Sequence, residues 1–341
     1  MMARLLSGNQ AIVEGALAAG LDFFSGYPIT PASEILELMV RKPISFLQAE
    51  DELAAINVCL GASLAGRKAM TATSGPGFSL MQETIGFAFK IGAPLVIVDC
   101  QRVGPSTGMP TLGSQGDVQQ AKHGVHGDYL GLVFHPNSVA ECYQYAGAAL
   151  NAAEEALAPV ILLVDGVTAH LTETADLKKI PRKLLVKRRL VPLGEKRRHF
   201  TGLTSVDNRP ETSDAAVYRK WYRERKQAII KVAEKYAFYD YYPRKKSELL
   251  VIAYGITSRV VMALRDKYPV FRPGRLFPII PQLKKIASRY PKIAVVEMND
   301  GQYRSELAGF LKREVVLVSQ LGGQVSLKEI ENELEKISQK S

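Results

Sequence analysis

Between residues 67 and 166 the chain returns four times to a short apolar run closed by polar residues, glycine or proline. These runs are RKAMTATS (67–74), APLVIVDC (93–100), YLGLVFHP (129–136) and APVILLVDG (158–166). Runs without a polar alternate read as strands of a parallel sheet covered on both faces. Helical patterns separate them. The one over SVAECYQYAGAALNAAEEAL starts at Ser138, where Ser138 and Glu141 predict a capping box. Upstream, a short strand at Leu21–Ser25 meets Tyr27-Pro28-Ile29-Thr30-Pro31, and a helix begins near Ser33. Two prolines there predict a rigid elbow, because proline fixes φ and pushes the preceding residue towards extended backbone. Strand and helix alternation over 1–175 predicts a doubly wound parallel α/β sheet.

The rhythm breaks over 176–246, a basic connector with one charged helix, AVYRKWYRERKQAIIKVAEKY. From Glu248 it resumes with ELLVIAYG, KIAVVEM and EVVLVSQLGG as strands, and it ends in a helix capped by Ser326 with Glu329. Residues 247–341 therefore read as a second, smaller α/β domain. No internal repeat is visible.

Composition narrows the class. A length of 341 residues suits about two domains with proper cores. No stretch approaches the roughly 18 consecutive apolar residues of a membrane span, and the N-terminal MMARLLSGNQAIVEG lacks a signal-peptide apolar region. The net charge of +10 invites a nucleic-acid reading, but residues 178–246 hold 21 Lys and Arg against 7 Asp and Glu. The rest of the chain is net acidic, so the basicity belongs to one connector without a nucleic-acid motif. Cys59, Cys100 and Cys142 sit in apolar surroundings without CxxC or Cys/His spacing. That pattern predicts a reducing cytoplasm and no metal or iron–sulfur cluster ligated by this chain alone.

Three stretches could carry chemistry. The proline elbow stands at the C-terminal end of a strand, where open α/β sheets keep their ligands. Glu50, Asp51 and Glu52 open a small-residue helix, a placement that simple charge capping also explains. Downstream, Ser74-Gly75-Pro76-Gly77 follows a strand and precedes a helix; it matches neither the dinucleotide fingerprint nor a P-loop. The third stretch, QRVGPSTGMPTLGSQGD (101–117), reads as a long glycine- and proline-rich loop that places Arg102 among Ser106, Thr107 and Thr111. A guanidinium beside hydroxyls suits a carboxylate or a phosphate. His123 and His126 read as loop-structural, and no GxSxG elbow or HExxH is present.

Taken in order, GNQAIVEGALAAG…GYPITPASEI, QAEDELAA…GASLAG…MTATSGPGFSLMQE, QRVGPSTGMPT…SQGD, AYGITSR and EMNDGQ resemble the α subunit of 2-oxoacid:ferredoxin oxidoreductases, the 2-oxoglutarate type above all. The resemblance spans nearly the whole chain and is loosest over 178–246. It implies a thiamine-diphosphate pyrimidine-binding domain followed by a smaller transketolase C-terminal-like α/β domain. The implied reaction is oxidative decarboxylation of a 2-oxoacid to acyl-CoA and CO2 with reduction of ferredoxin, or its reverse. Thiamine diphosphate would be shared with a β subunit, which would hold magnesium and a [4Fe-4S] cluster, and a γ (or also δ) subunit would complete the assembly. Coenzyme A would be a substrate.

The resemblance also implies roles. Glu52, whose distance to Gly61-Ala62 fits the family, would bond the pyrimidine ring nitrogen and favour its imino tautomer; Glu50 would need a two-residue slip. Tyr27, Pro28, Ile29, Ser74, Gly75, Pro76 and Gly77 would lie against the cofactor. Thr30 and Arg102 would hold the oxoacid's carbonyl and carboxylate side, with Ser106, Thr107 and Thr111 towards its far end. A branched-chain 2-oxoacid or pyruvate specificity is the alternative within the family, and a non-catalytic paralogue the alternative outside it.

Overall fold

A computed structural model describes residues 3–178, 186, 201–207, 209–245 and 247–339. The chain enters through β1 (Arg4–Ser7) and α1 (Gly8–Ala18), where Ser7 and Gln10 cap each other reciprocally. Then come β2 (Phe23–Gly26), α2 (Ser33–Met39), β3 (Ser45–Gln48), α3 (Glu52–Leu64), β4 (Ala69–Thr73), α4 (Gly75–Leu80) and α5 (Gln82–Ile91). After β5 (Leu95–Val103) the chain turns back as β6 (Met109–Gly113). It continues through α6 (Val118–His123), β7 (Leu132–Phe134), α7 (Val139–Ala156), β8 (Pro159–Asp165), α8 (Gly166–His170) and β9 (Thr172–Ala175). Two short strands, β10 (Ser205–Val206) and β11 (Arg209–Pro210), precede the charged helix α9 (Ala215–Lys235). The remainder is β12 (Tyr239–Tyr242), β13 (Leu249–Ala253), α10 (Gly255–Val261), β14 (Val270–Pro273), β15 (Arg275–Phe277), α11 (Gln282–Ala287), β16 (Lys292–Glu297), α12 (Gln302–Leu311), β17 (Val316–Ser319) and α13 (Leu327–Gln339).

The large sheet runs β15-β7-β8-β5-β4-β2-β3, with β6 attached to β5. Its inner pairs are parallel. Alternate residues of β5 and β8 feed two apolar layers. Val96, Val98, Val160 and Leu162 pack under α1, α2 and α7, while Leu95, Ile97, Ile161 and Leu163 pack against α3, α4, α5 and α6. That is why these strands read as unbroken apolar runs. The arrangement is the doubly wound sheet that the sequence predicts.

The small sheet has the order β12-β14-β13-β16-β17. Two strands cross the expected boundaries: β12, from the connector, pairs with β14, and β15 pairs antiparallel with β7 on the edge of the large sheet. One apolar layer accordingly contains Phe78 and Ile85 together with Ile252, Phe271, Phe277 and Tyr303.

One expected cap is only half formed. Ser138 Oγ accepts from the Glu141 N–H at 3.3 Å, but the Glu141 carboxylate accepts from the Asn137 N–H instead and forks onto Arg272 at 2.9 and 2.6 Å. Arg272 is 5% exposed, and a buried guanidinium outcompetes a neutral amide for a carboxylate. The basic run 178–200 lies, apart from Lys178 and Val186, outside the described residues. Among the described residues no helix is long and apolar enough to cross a membrane, and the three cysteines are free and buried. Burial pushes the Cys59 thiol up to about 12, which leaves it unreactive near neutrality.

Candidate active site

Four neighbouring strands, in the order β5-β4-β2-β3, deliver the expected residues from their C-terminal ends. The elbow follows β2, the acids follow β3, Ser74–Gly77 follows β4, and Arg102 ends β5. The elbow is tied down from both sides. Asn9 Nδ2 donates to the Pro31 carbonyl at 3.1 Å, and Arg102 Nη1 donates to the Thr30 carbonyl at 2.7 Å. Ile29 packs against the core, whereas Tyr27, Pro28 and the Thr30 side chain are exposed.

The three acids at the start of α3 separate by environment. Glu50 is exposed. Asp51 is the N-cap, its Oδ1 accepting from the Ala54 N–H at 2.7 Å, and Glu52 is 6% exposed. Simple charge capping therefore accounts for Asp51 and leaves Glu52 unexplained. Glu52 lies against Gly77, where an added Cβ would sit 2.5 Å from Glu52 Cγ and would also strike Glu52 Oε1 and Thr73 Oγ1. Only glycine lets the turn approach the carboxylate so closely. Ser74 Oγ is sealed from solvent without a hydrogen-bond partner. A buried carboxyl and an orphaned hydroxyl beside a bare glycine backbone fit the polar edge and the flat face of an aminopyrimidine ring.

The expected long loop after β5 is instead a hairpin. Val103 pairs with Met109 and Arg102 with Gly113, a register shift separating the two pairs. Ser106 (φ 56°) and Thr107 occupy its exposed tip. The turn signals of GPSTG were visible, but the pairing of 109–113 carries little apolar alternation and so left no sequence trace. Arg102 uses Nη1 on the elbow, while its buried Nε has no acceptor. The Nε side thus remains as an orphaned donor edge, the geometry a carboxylate forks onto.

Behind Arg102 lies a polar network that the sequence reading missed. The Asp117 N–H donates to Gln101 Oε1 at 3.1 Å, so the Gln101 amide nitrogen faces His135 Nε2, also at 3.1 Å. That arrangement makes Nε2 an acceptor and leaves the proton on Nδ1, which donates to the Pro136 carbonyl at 3.2 Å. Desolvation holds the His135 pKa down, in keeping with a neutral ring. On the same strand Asp99 is fully buried against Asp117. Desolvation first, then the Asp117 charge, raises the Asp99 carboxyl well above its ordinary range. Burial raises Asp117 to about 6, although Arg102 pulls it down. An aspartate closing the apolar run LVIVDC was the available signal, since buried strand interiors rarely hold an unpaired acid.

The loop 114–117 is also fastened to the small sheet. Gln115 exchanges bonds with Met298 through both its backbone N–H and its side-chain oxygen, at 3.3 and 3.0 Å. Asn299 Nδ2 donates to the Gln115 carbonyl at 2.7 Å. SQGD and EMNDGQ are therefore two halves of one joint. Above it opens a cavity of about 590 Å³, lined by Gly75, Pro76, Arg102, Ser106, Asp117, Asn299 and Asp300 among others. Thr107 and Thr111 lie outside that lining, Thr111 on the exposed face of β6. Among the described residues no group of three or more His, Cys, Asp or Glu is arranged to hold a metal ion.

Residues 14–240 match the family described as pyruvate flavodoxin/ferredoxin oxidoreductase, thiamine diP-binding. The chain belongs to this family. Within it, the 2-oxoglutarate synthase subunit KorA of Methanocaldococcus jannaschii is 39% identical over 95% of this chain and 97% of its own length. The KorA subunit of Archaeoglobus fulgidus is also 39% identical, over 90% and 91%. The ketoisovalerate oxidoreductase subunit VorB of Methanothermobacter marburgensis is 35% identical over 100% and 99%. Among solved structures, the 2-oxoglutarate:ferredoxin oxidoreductase of Magnetococcus marinus, with 2-oxoglutarate, coenzyme A and succinyl-CoA bound, superposes with a TM-score of 0.89 at 30% identity. The match covers 99% of this family member and 65% of that longer chain. A split-gene transketolase, at 12% identity and a TM-score of 0.60, shares the fold.

Proposed function

We propose that this chain is the α subunit of a 2-oxoacid:ferredoxin oxidoreductase that acts on 2-oxoglutarate within a cytoplasmic hetero-oligomer. The observation that carries the reading is the placement of Glu52 against Gly77, and of Arg102 with its orphaned Nε, at the C-terminal ends of one run of four strands, β5-β4-β2-β3. Whole-length likeness to KorA subunits supports the substrate. A β subunit would bring the diphosphate site, magnesium and an iron–sulfur cluster, γ or δ subunits would complete the complex, and ferredoxin would take the electrons.

Thiamine diphosphate, when bound, supplies the carbon nucleophile and the electron sink for decarboxylation. Glu52, buried at 6% exposure, would hydrogen-bond the pyrimidine ring nitrogen and pass a proton across that contact. The backbone at 75–77 would hold the ring, and the elbow fixes where Thr30 stands before substrate arrives. Arg102 receives the substrate carboxylate on its Nε side. Because decarboxylation consumes that charge, a tighter clamp would stabilise the ground state and slow the reaction. Ser106, on the cavity lip, is placed to meet the substrate's far end; Thr107 and Thr111 would serve only from outside the cavity.

The full-length match to VorB keeps a branched-chain substrate as the second reading. Co-purification with the partner subunits, followed by viologen reduction with 2-oxoglutarate, pyruvate and 2-oxoisovalerate plus coenzyme A, separates the two. The highest kcat/KM is expected for 2-oxoglutarate, and a preference for 2-oxoisovalerate would overturn that assignment. A complex that assembles but turns over none of the three is the result a non-catalytic paralogue would give.

A further inference from the structure

Asp99 and Asp117 have no part in the roles described so far. Both Asp99 oxygens and Asp117 Oδ2 are sealed from solvent, and none has a hydrogen-bond donor. Asp117 is fixed in place by its N–H bond to Gln101, and Gly75 closes over it, with an added Cβ only 3.2 Å from Oδ1. Two carboxylate ions facing each other cannot hydrogen-bond, whereas one proton between them joins one Asp99 oxygen to Asp117. Asp117 and Arg102 line the same cavity wall, each with an orphaned buried atom, and those atoms do not bond each other.

We propose that Asp99 and Asp117 share one proton, and that Asp117 is a positioning residue whose charge sets how firmly Arg102 holds the 2-oxoacid carboxylate. The proposal rests on the assignment of Arg102 made above. With Asp117 ionised, part of the guanidinium's field is already answered, so an incoming carboxylate meets a weaker cation. With Asp117 protonated, Arg102 is unopposed. Among the described residues, the other ionisable groups around the pair include the buried Cys100 thiol next to Asp99, with Asp165 acting on it, His135 beyond Gln101, Glu52 beyond Thr73 and Asp300 across the cavity. Burial raises the Asp117 carboxyl to about 6, against the hydrogen bond with Asp99 and the Arg102 charge, which both pull it down. Coupling of this kind is reciprocal. If protonation tightens binding about tenfold, bound carboxylate must raise the carboxyl's pKa by about one unit.

The test is the pH dependence of KM for 2-oxoglutarate in the assembled complex, between pH 5 and 8. Wild type should show KM falling about tenfold as pH drops through the Asp117 transition, with the kcat transition displaced upwards. Asp117→Asn should hold KM near the low-pH value throughout. Asp99→Asn, which keeps a donor on Asp117 without a titrating partner, should hold KM near the high-pH value. These opposite signatures exclude a merely structural role. A transition surviving in both variants, both variants shifting KM the same way, or no transition in wild type would each overturn the proposal.

Infrared difference spectra of wild type against Asp99→Asn read the shared proton without turnover. Absence of a protonated-carboxyl band removes the pair. A band present in a complex that turns over no 2-oxoacid overturns the functional reading and the link to Arg102, but not the shared proton.

Discussion

Gly77→Ala is the sharpest perturbation this site offers, because it touches the carboxyl proposed to be catalytic without altering any polar group. The new Cβ would stand 2.5 Å from Glu52 Cγ, where ordinary contact begins near 3.4 Å, so the Glu52 side chain must retreat by about 1 Å. The backbone cannot yield easily, since Gly77 is buried within α4. Misplacing a reacting group by about 1 Å costs on the order of 100-fold in rate. Overpacking against the Thr73 hydroxyl adds about 1–3 kcal/mol of destabilisation. Single-turnover decarboxylation of 2-oxoglutarate at saturating thiamine diphosphate, paired with a thermal melt, separates the two effects. The double variant Gly77→Ala/Thr73→Ala should recover stability but not rate, because the Glu52 contact persists. Gly77→Ala turning over within about threefold of wild type would refute the claim that Glu52 must lie against this turn.

Other outcomes follow from the same geometry. Glu52→Gln keeps the shape but loses the exchangeable proton, and should lower kcat by about 100-fold or more with assembly intact on size exclusion. Arg102→Lys replaces the fork by a point charge and should raise KM for the oxoacid about tenfold with a smaller change in kcat; an unchanged KM would remove Arg102 as the carboxylate clamp. Arg272→Ala strands Glu141 and Asp240, but the Asp240 side chain is 41% exposed and can rehydrate, so about 3 kcal/mol should be lost in denaturant melts. The Asp117 carboxyl, raised from 3.8 to about 6 on folding, contributes stability that is present below pH 3.8 and lost as pH rises through 6. Melts of Asp117→Asn should therefore depend less on pH between 4 and 7 than those of wild type.

The parts of the fold that show in the sequence are those whose environment is one-sided. Strands β4, β5 and β8 are buried on both faces, so their apolar runs announce them. Strands β3 and β6 are edge or hairpin pieces with mixed exposure, and their residues follow no period. Arg275 shows the limit most clearly. A buried arginine that donates to the carbonyls of Ala233 and Pro278 has a charged residue's sequence signature and a core residue's position. In the candidate site, the placement of Glu52 and Arg102 at strand ends was legible because punctuation marks those ends. Gln101 and Asp117 were not, and Asp99 showed only as an acid closing an apolar run, because their joint meaning depends on three segments meeting, and spacing along one chain does not reveal that meeting.

The placement of β15 on the edge of the large sheet has a consequence for dissecting this protein. A fragment cut at 246, where the composition changes, would take away β15, the partner that the described residues place on the outer edge of β7, and leave Leu132–Phe134 as an open template. Such bare apolar edges invite intermolecular pairing. A recombinant half that includes Arg275–Phe277 keeps that edge covered, so deletion series and chimeras should be cut beyond 277, even though this divides the small sheet.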